Sequence, residues 1–458
     1  MSFTTQNYRL LRRSWVLLGF MGICLLVGAL LVACAQPVAP PAAPAKEQPA
    51  EQPAEEAAQK PAAEEAGPEA IVIGYPASLT GRFEQLGKAG LNGLQLFEEW
   101  VNTEEGGIEV KSLGRKLPVK IVFADDKSEK ETAQRLFEKF IKDDGAQFMM
   151  ASYSSGLTLS QAPIAEANQI ITFGWGAASD HIWEQGFRYV VGPITPSSLY
   201  DGSILDLLTT LEPRPQRLAV IYKDNPFTTA IAEGTTARAE ELGFEVVFSD
   251  KYPEDATDLS PILLRAKEAE PDVLFVESHF QDGALAAKQV AEMQFDVAMA
   301  AYGSASATTA WAEQLGDAAE YTVGASQWEP NMPIDPALFD DPRWYGPKLS
   351  PAEWAEWFEG KFDYTPDFRA MQMFATALSL KAAIEDAGTL ETEAVLESIK
   401  KLDLITTFGR FKVDPETLKQ IGHQMVAIQW QGGKKEVIAP PAFKTADVIY
   451  PAPAWSER

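Results

Sequence analysis

Leu218-Ala-Val-Ile-Tyr222, a helical stretch over 228–242, Phe244-Glu-Val-Val-Phe248, a helix from Ser260-Pro261 to about Glu270, then Asp272-Val-Leu-Phe-Val276: this run decides the fold. The β-rich pieces are short, continuous and apolar, as strands covered on both faces are. Ser260 reads as an N-cap with Pro261 at N1. Strands alternating with amphipathic helices predict parallel sheets with helices on both faces. A helix at 283–294 and the strand Val297-Ala-Met-Ala-Ala301 extend the series.

The same rhythm occupies the preceding stretch. Ile71-Val-Ile-Gly-Tyr75, Val119-Lys-Ile-Val-Phe-Ala124, Gln147-Phe-Met-Met-Ala151 and Ile170-Ile-Thr-Phe173 read as strands. Leu91, Leu94, Phe97 and Val101 fall at helical spacing. Ser128 with Glu131 reads as a capping box opening a helix whose apolar face is Ala133, Leu136, Phe137, Phe140 and Ile141. The units therefore group into two sheets, about 71–195 and 196–328. Helices near 350–361, 368–387 and 392–401 follow. The pair Gln424–Gln429 and Lys435–Ile438 closes the series as a hairpin around Gly432-Gly433.

The 458 residues carry 39 Lys plus Arg against 65 Asp plus Glu, a net charge of -26. Phosphate neutralisation needs clustered cations, so a nucleic-acid partner is not expected. Arg9, Arg12 and Arg13 precede an uncharged apolar run from Trp15 to Val32, and Leu31-Val32-Ala33-Cys34 resembles a lipoprotein cleavage motif. That reading makes 1–34 a signal peptide, Cys34 the lipidated residue and the rest extracytoplasmic and membrane-tethered; the alternative is an uncleaved anchor. Cys24 is the other cysteine, so the domain holds no thiol for a disulfide or nucleophile. Residues 35–70 contain 13 Ala, 8 Pro and 7 Glu. They read as a disordered linker whose reach is on the order of 100 Å if extended.

In open α/β sheets ligands bind beyond the carboxyl ends of the strands. The segments there are rich in Ser, Gly and aromatics. Ser154-Ser155-Gly156 opens a helix. Hydroxyls and free N–H groups at such a start suit a small carboxylate; ordinary capping is the plainer reading. Trp175 and Trp328 read either as core or as an aromatic wall. His279 reads as a hydrogen-bonding cleft residue, since His181 and His423 lie in other elements. No G-x-G-x-x-G, G-x-S-x-G or P-loop motif occurs.

The chain resembles the branched-chain amino-acid-binding (Leu/Ile/Val-binding) family of type I periplasmic solute-binding proteins of ABC importers. The likeness rests on Ser78-Leu-Thr-Gly81, Asn92-Gly93, the Ser-Ser-Gly turn, Ala162-Pro-Ile-Ala-Glu166, Gly176-Ala-Ala-Ser179, Asp258-Leu-Ser260, Gly316-Asp-Ala-Ala-Glu320 and Phe408-Gly409. It implies two doubly wound parallel-sheet lobes joined by three crossover strands, with the ligand between them. Lobe one would be 71–195 plus 329–408, lobe two 196–328 plus 409–445, and 446–458 a C-terminal tail.

The resemblance also implies the site. Ser154, Ser155, Gly156, Gly176, Ala177, Ala178 and Ser179 would hold an amino acid's carboxylate and share its ammonium; where Ala178 has no hydroxyl, either Ser179 stands in or that hydrogen bond is lost. Phe83, Phe227, His279 or Phe280, and Trp175 would supply rings. Ser304 stands where the family places an acid for the ammonium, leaving Glu277 or Glu329 as replacements. The expected function is capture of a small carboxylate-bearing metabolite and delivery to an ABC permease and its ATPase. It would need no cofactor, metal or catalysis, and the protein would be monomeric. The alternatives are a sensory module of the same fold, or an α/β hydrolase acting on amides.

Overall fold

The computed structural model describes residues 67–458. The signal-peptide and Cys34 readings and the spacer reading over 35–66 lie outside that range; of the spacer only 67–70 is described. Among the described residues no helix is long and apolar enough to cross a membrane.

Seven strands precede residue 195: β1 (Ile71–Ala77), β2 (Ile108–Val110), β3 (Arg115–Leu117), β4 (Val119–Asp125), β5 (Phe148–Met150), β6 (Thr172–Phe173) and β7 (Val190–Val191). Then come β8 (Arg217–Lys223), β9 (Glu245–Tyr252), β10 (Val273–Glu277), β11 (Met299–Ala301) and β12 (Val323–Ser326). The last four are β13 (Leu404–Thr406), β14 (Gly409–Phe411), β15 (Val426–Gln431) and β16 (Lys434–Ala439). One sheet runs β4-β1-β5-β6-β7, all parallel. The other runs β16-β15-β12-β11-β10-β8-β9, parallel from β9 to β12, with the antiparallel hairpin β15–β16 on its far side.

Hydrophobicity sets rank in each sheet. The near-continuous apolar runs of β1 and β10 are buried and central, whereas β4 and β9 carry exposed charges and form edges. In both sheets the strand first in sequence lies between the second and third. The connections therefore diverge at β1/β5 and at β8/β10, which opens a crevice at their carboxyl ends.

The helix Phe368–Ala387 is buried on nearly all sides from Phe368 to Ile384 and packs on the helix Glu84–Thr103. Their approach requires Gly93, since a Cβ there would stand 2.0 Å from the Ala370 carbonyl oxygen. Three passes of chain run side by side between the sheets. Gly192 donates to Leu418 at 2.9 Å, Gln420 to Pro193 at 2.9 Å, and Thr195 N–H to the Gln327 amide at 3.1 Å. The last residues strap the second half: Ala452 donates to Ala298 at 2.9 Å and Trp455 to Phe295 at 3.2 Å.

Two expected caps fall elsewhere. The helix after β4 is Lys130–Lys142, and Ser128, at φ +58°, is not its cap. The Ser128 hydroxyl instead donates to Thr80 O at 2.7 Å and accepts from Phe83 N–H at 3.1 Å, which fixes the loop after β1. Ser260 is the first helical residue, with Leu259 before it. The box that does form is Ser350 with Glu353.

Gly93→Ala is expected to lose about 1–3 kcal/mol of stability through forced separation of the two helices. Gly360→Ala, whose Cβ would meet nothing within 4 Å, is expected to hold or gain slightly. Urea denaturation of both variants checks the pair, and equal midpoints would refute the packing argument.

Candidate functional site

The loops that follow β5 and β6 are tied to each other. Ser154 sits at φ +108° and ψ 150°, a region L residues rarely adopt, at a cost on the order of 1–3 kcal/mol. It caps the helix Ser155–Asn168 by accepting from Leu157 N–H at 3.3 Å. The Ser155 hydroxyl accepts the N–H groups of Ala178 at 3.1 Å and Ser179 at 3.0 Å. Its lone pairs are thereby used, and its own O–H remains for an acceptor. Gly176 must lack a side chain, since a Cβ there would stand 2.5 Å from the Tyr153 ring.

Across the boundary stand rings from the other half. His279, after β10, lies between Phe83 and Phe227 with centroids 5.1 Å from each, and Phe227 meets Tyr200 at 5.4 Å. Burial pushes the His279 imidazole down to about 3, so it is neutral near pH 7. Beneath the rings, Gln327 donates to Tyr200 at 2.9 Å and to the Gln372 carbonyl at 3.2 Å, and Gln372 donates to Trp175 O.

These groups enclose a chamber lined by Tyr153, Ser155, Gly176, Ile194, Tyr200, Phe227, His279, Ser304, Gln327, Phe368 and Gln372. Its open volume is about 10 Å³, room for about one water. The lining draws on both sheets and the passes between them and contains no Asp, Glu, Lys or Arg. Just outside it, Arg369 is buried with Asp367, 3.0 Å away.

Of the residues expected at the site, Ser155, Gly176, Phe227, His279 and Ser304 line the chamber. Ser154 and Gly156 shape the turn, and Phe83 backs His279. Trp175 is fully buried behind the lining, between Tyr75 and Tyr153, and donates to Ala151 O at 2.8 Å. Ala177 and Ala178 are buried beside it. The Ser179 hydroxyl donates across the boundary to Pro226 O at 2.7 Å. Phe280 faces a separate groove at the cleft mouth with Arg82 and Gln314. Trp328 packs edge-on against Trp354 in the core.

Neither replacement acid reaches the chamber. Glu329 lies 2.7 Å from Lys435. Glu277 is buried under Gly303 beside Asp201, which accepts from Thr235 at 2.6 Å. Burial pushes Asp201 up to about 6 and Glu277 well above the usual carboxylate range, which favours one proton shared between the two carboxyls. The histidines stand apart: His181 is exposed beside Glu184, and His423 stacks on Phe408. Among the described residues no group of three or more His, Cys, Asp or Glu is placed to hold a metal ion.

Sequence reasoning missed Tyr200, Gln327, Phe368, Gln372 and Arg369. A signal was present for Tyr153, inside the serine turn. For the others, only knowing which passes cross between the sheets would have singled them out.

The profile of the family described as periplasmic binding protein matches residues 70–435. The Leu/Ile/Val-binding protein homolog 7 of Brucella abortus (strain 2308) is 23% identical over 393 residues, covering 82% of this chain and 92% of that protein. The crystal structure of the leucine binding protein LivK of Thermotoga maritima MSB8 superposes with a TM-score of 0.69 at 19% identity, over 81% of this chain and 98% of that one. A solute binding protein of an ABC transporter from R. palustris, in complex with benzoate, gives 0.68 at 17% identity, over 82% and 98%.

The carboxyl pair has a pH signature. Both groups have raised values in the fold. The fold therefore holds protons that the unfolded chain releases above about pH 4, and this contribution to stability falls as pH rises toward the folded values. Glu277→Gln supplies the shared hydrogen permanently. Its stability relative to the parent is expected to climb between pH 4.5 and 8 in urea denaturation. A constant difference would show that the pair does not share a proton.

Proposed function

The chain belongs to the periplasmic binding protein family, and from that premise we propose that it is an extracytoplasmic receptor delivering a small carboxylate-bearing metabolite to an ABC permease and its ATPase. In this reading it is a monomer, anchored to the membrane through lipid on Cys34 and held clear by the 35–70 spacer. Residues 71–195 with 329–408 form one lobe and 196–328 with 409–445 the other. The tail 446–458 straps the second. No covalent chemistry is involved, as the separated histidines and the absence of a thiol in 67–458 favour.

One observation carries the reading: a Ser155 hydroxyl with its O–H still to give, in a strained turn, faces a chamber whose walls come from both sheets. A ligand oxygen there would be held by one half while its body meets Phe227 and His279 of the other. Only the closed form offers both contacts, so the ligand shifts the population toward closure. The chamber's small volume means that the lobes open and the Phe83–His279–Phe227 row parts for entry.

The lining also bears on ligand class. An amino acid brings an ammonium that needs a buried acid or several acceptors. Ser304 replaces the family's acid, Glu277 is committed to Asp201, and Glu329 to Lys435. A buried ammonium lacking its counter-charge is strongly disfavoured. We therefore favour a carboxylate without an α-ammonium, aromatic or branched, closer to the benzoate bound by the R. palustris protein than to leucine.

Native mass spectrometry of the purified protein should show a co-purified acid of this kind. In titration calorimetry benzoate and 4-methyl-2-oxopentanoate are expected to bind more tightly than L-leucine; the reverse order would refute the ligand class. Ser154→Ala with Ser155→Ala is expected to weaken binding by about ten- to a hundredfold, the worth of a charge-assisted hydrogen bond. Unchanged affinity would remove the turn from the site.

A further inference from the structure

Arg369 begins the helix Phe368–Ala387, where an arginine would ordinarily be solvated, yet it is 1% exposed. Its guanidinium is shared out along the boundary between the two halves. Nε donates to the Tyr153 hydroxyl at 3.2 Å, in the serine turn of the first half. Nη1 donates to Asp367 at 3.0 Å and to the Thr308 hydroxyl at 3.3 Å. Nη2 donates to Ser304 O at 3.2 Å, in the loop after β11 of the second half. The Phe368 ring lies 4.3 Å away. Four bonds draw on the five N–H groups, and the head group is not part of the chamber lining.

The partners fall on opposite sides of the hinge. The helix packs on Glu84–Thr103 of the first half, so Arg369 stays with Tyr153 and Asp367 when the halves separate. The bonds to Ser304 O and Thr308 Oγ1 break. Tyr153 in turn packs over Gly176 and against Phe83 and lines the chamber beside Ser155. One guanidinium thus touches the residue that shapes the anion turn and the loop that closes over it.

We propose that Arg369 is a positioning residue that couples the Ser154–Ser155 turn to closure of the second half, through Tyr153 on one side and Ser304 and Thr308 on the other, without contacting the ligand. This rests on the reading of two halves that open and close. It adds that the two halves are latched by a buried cation beside the ligand, so that Arg369 governs how long any ligand is retained, whatever its charge.

The test uses the full-length protein with Arg369→Gln, Arg369→Lys and the milder Thr308→Val, which removes one of the two bonds to the far half. Hydrogen–deuterium exchange of the unliganded protein should rise in the peptides covering 152–156 and 303–309 while β1, β8 and β10 keep their protection. Thr308→Val should show the same pattern at smaller size, and Arg369→Lys should lie between Arg369→Gln and the parent. No change, or a rise spread evenly over both sheets in Thr308→Val as well, overturns the proposal. Benzoate and the neutral probe benzamide then separate a latch from a ligand contact. Arg369→Gln is expected to weaken both by a similar factor of about ten, the worth of a hydrogen bond to a charged group. A loss confined to benzoate would make Arg369 a direct carboxylate contact and overturn the latch. If neither probe binds the parent, the ligand class proposed above fails, and the exchange pattern still decides the latch.

Discussion

Three passes of chain between two sheets govern every other relation in this molecule. Because the sheets share no strand, their relative position is fixed only by those passes and by side chains reaching across. The passes are bonded to each other through Gly192–Leu418, Pro193–Gln420 and Thr195–Gln327. Across the boundary, Arg82 meets Glu254, Ser179 donates to Pro226, and Arg369 donates to Ser304 and Thr308. Few of these cross-boundary bonds are worth more than about 1–3 kcal/mol. That is the scale at which a ligand's own contacts can decide whether the halves stay together.

Charge is handled differently outside and inside. The net charge of -26 is spread mainly over exposed carboxylates, where solvent and salt screen it. The buried acids are met locally: Asp367 by Arg369, Glu329 by Lys435, Asp282 by Lys223 and Asp180 by Lys419, Asp126 by the Ser78 hydroxyl and Ser128 N–H, while burial raises Asp201 and Glu277 toward their protonated forms. An unpaired carboxylate in the interior would cost several kcal/mol. None of these neutralising arrangements leaves an acid free to serve a ligand in the chamber. The acidic composition therefore says little about what the chamber prefers.

Most of the sheet architecture was legible in the sequence because central strands are short apolar runs between amphipathic helices. Runs such as Val273–Glu277 have few other readings. The two-residue strands Thr172–Phe173 and Val190–Val191, and the strand Val323–Ser326, are weaker. Their pairing comes from neighbours rather than from their own composition. Ser128 misled for a local reason: its hydroxyl serves the loop after β1, a partner 48 residues away. At the site, the Ser-Ser-Gly turn was legible as a helix start, where ordinary capping and an anion seat both stayed open as readings. Tyr200, Gln327 and Gln372 did not, because amides and a tyrosine on connecting passes carry no periodicity. Arg369 was hidden most thoroughly, since its burial follows from two halves meeting and from nothing in the helix that bears it.

Ser304 and Arg369 are best understood together. The family resemblance would place at 304 an acid facing a ligand ammonium. Here the backbone of Ser304 accepts from a buried guanidinium, and its neighbour Gly303 presses on the Glu277 carboxyl. Removing the acid shifts the local potential in the positive direction, while Arg369 is neutralised by Asp367 beside it. A zwitterion gains little from that shift, because its two charges lie close together and respond oppositely. A plain carboxylate gains at its one charged end. The missing acid at 304, with Glu277 and Glu329 already committed, is therefore the basis for favouring an anion over an amino acid, while Arg369, neutralised by Asp367, acts on closure.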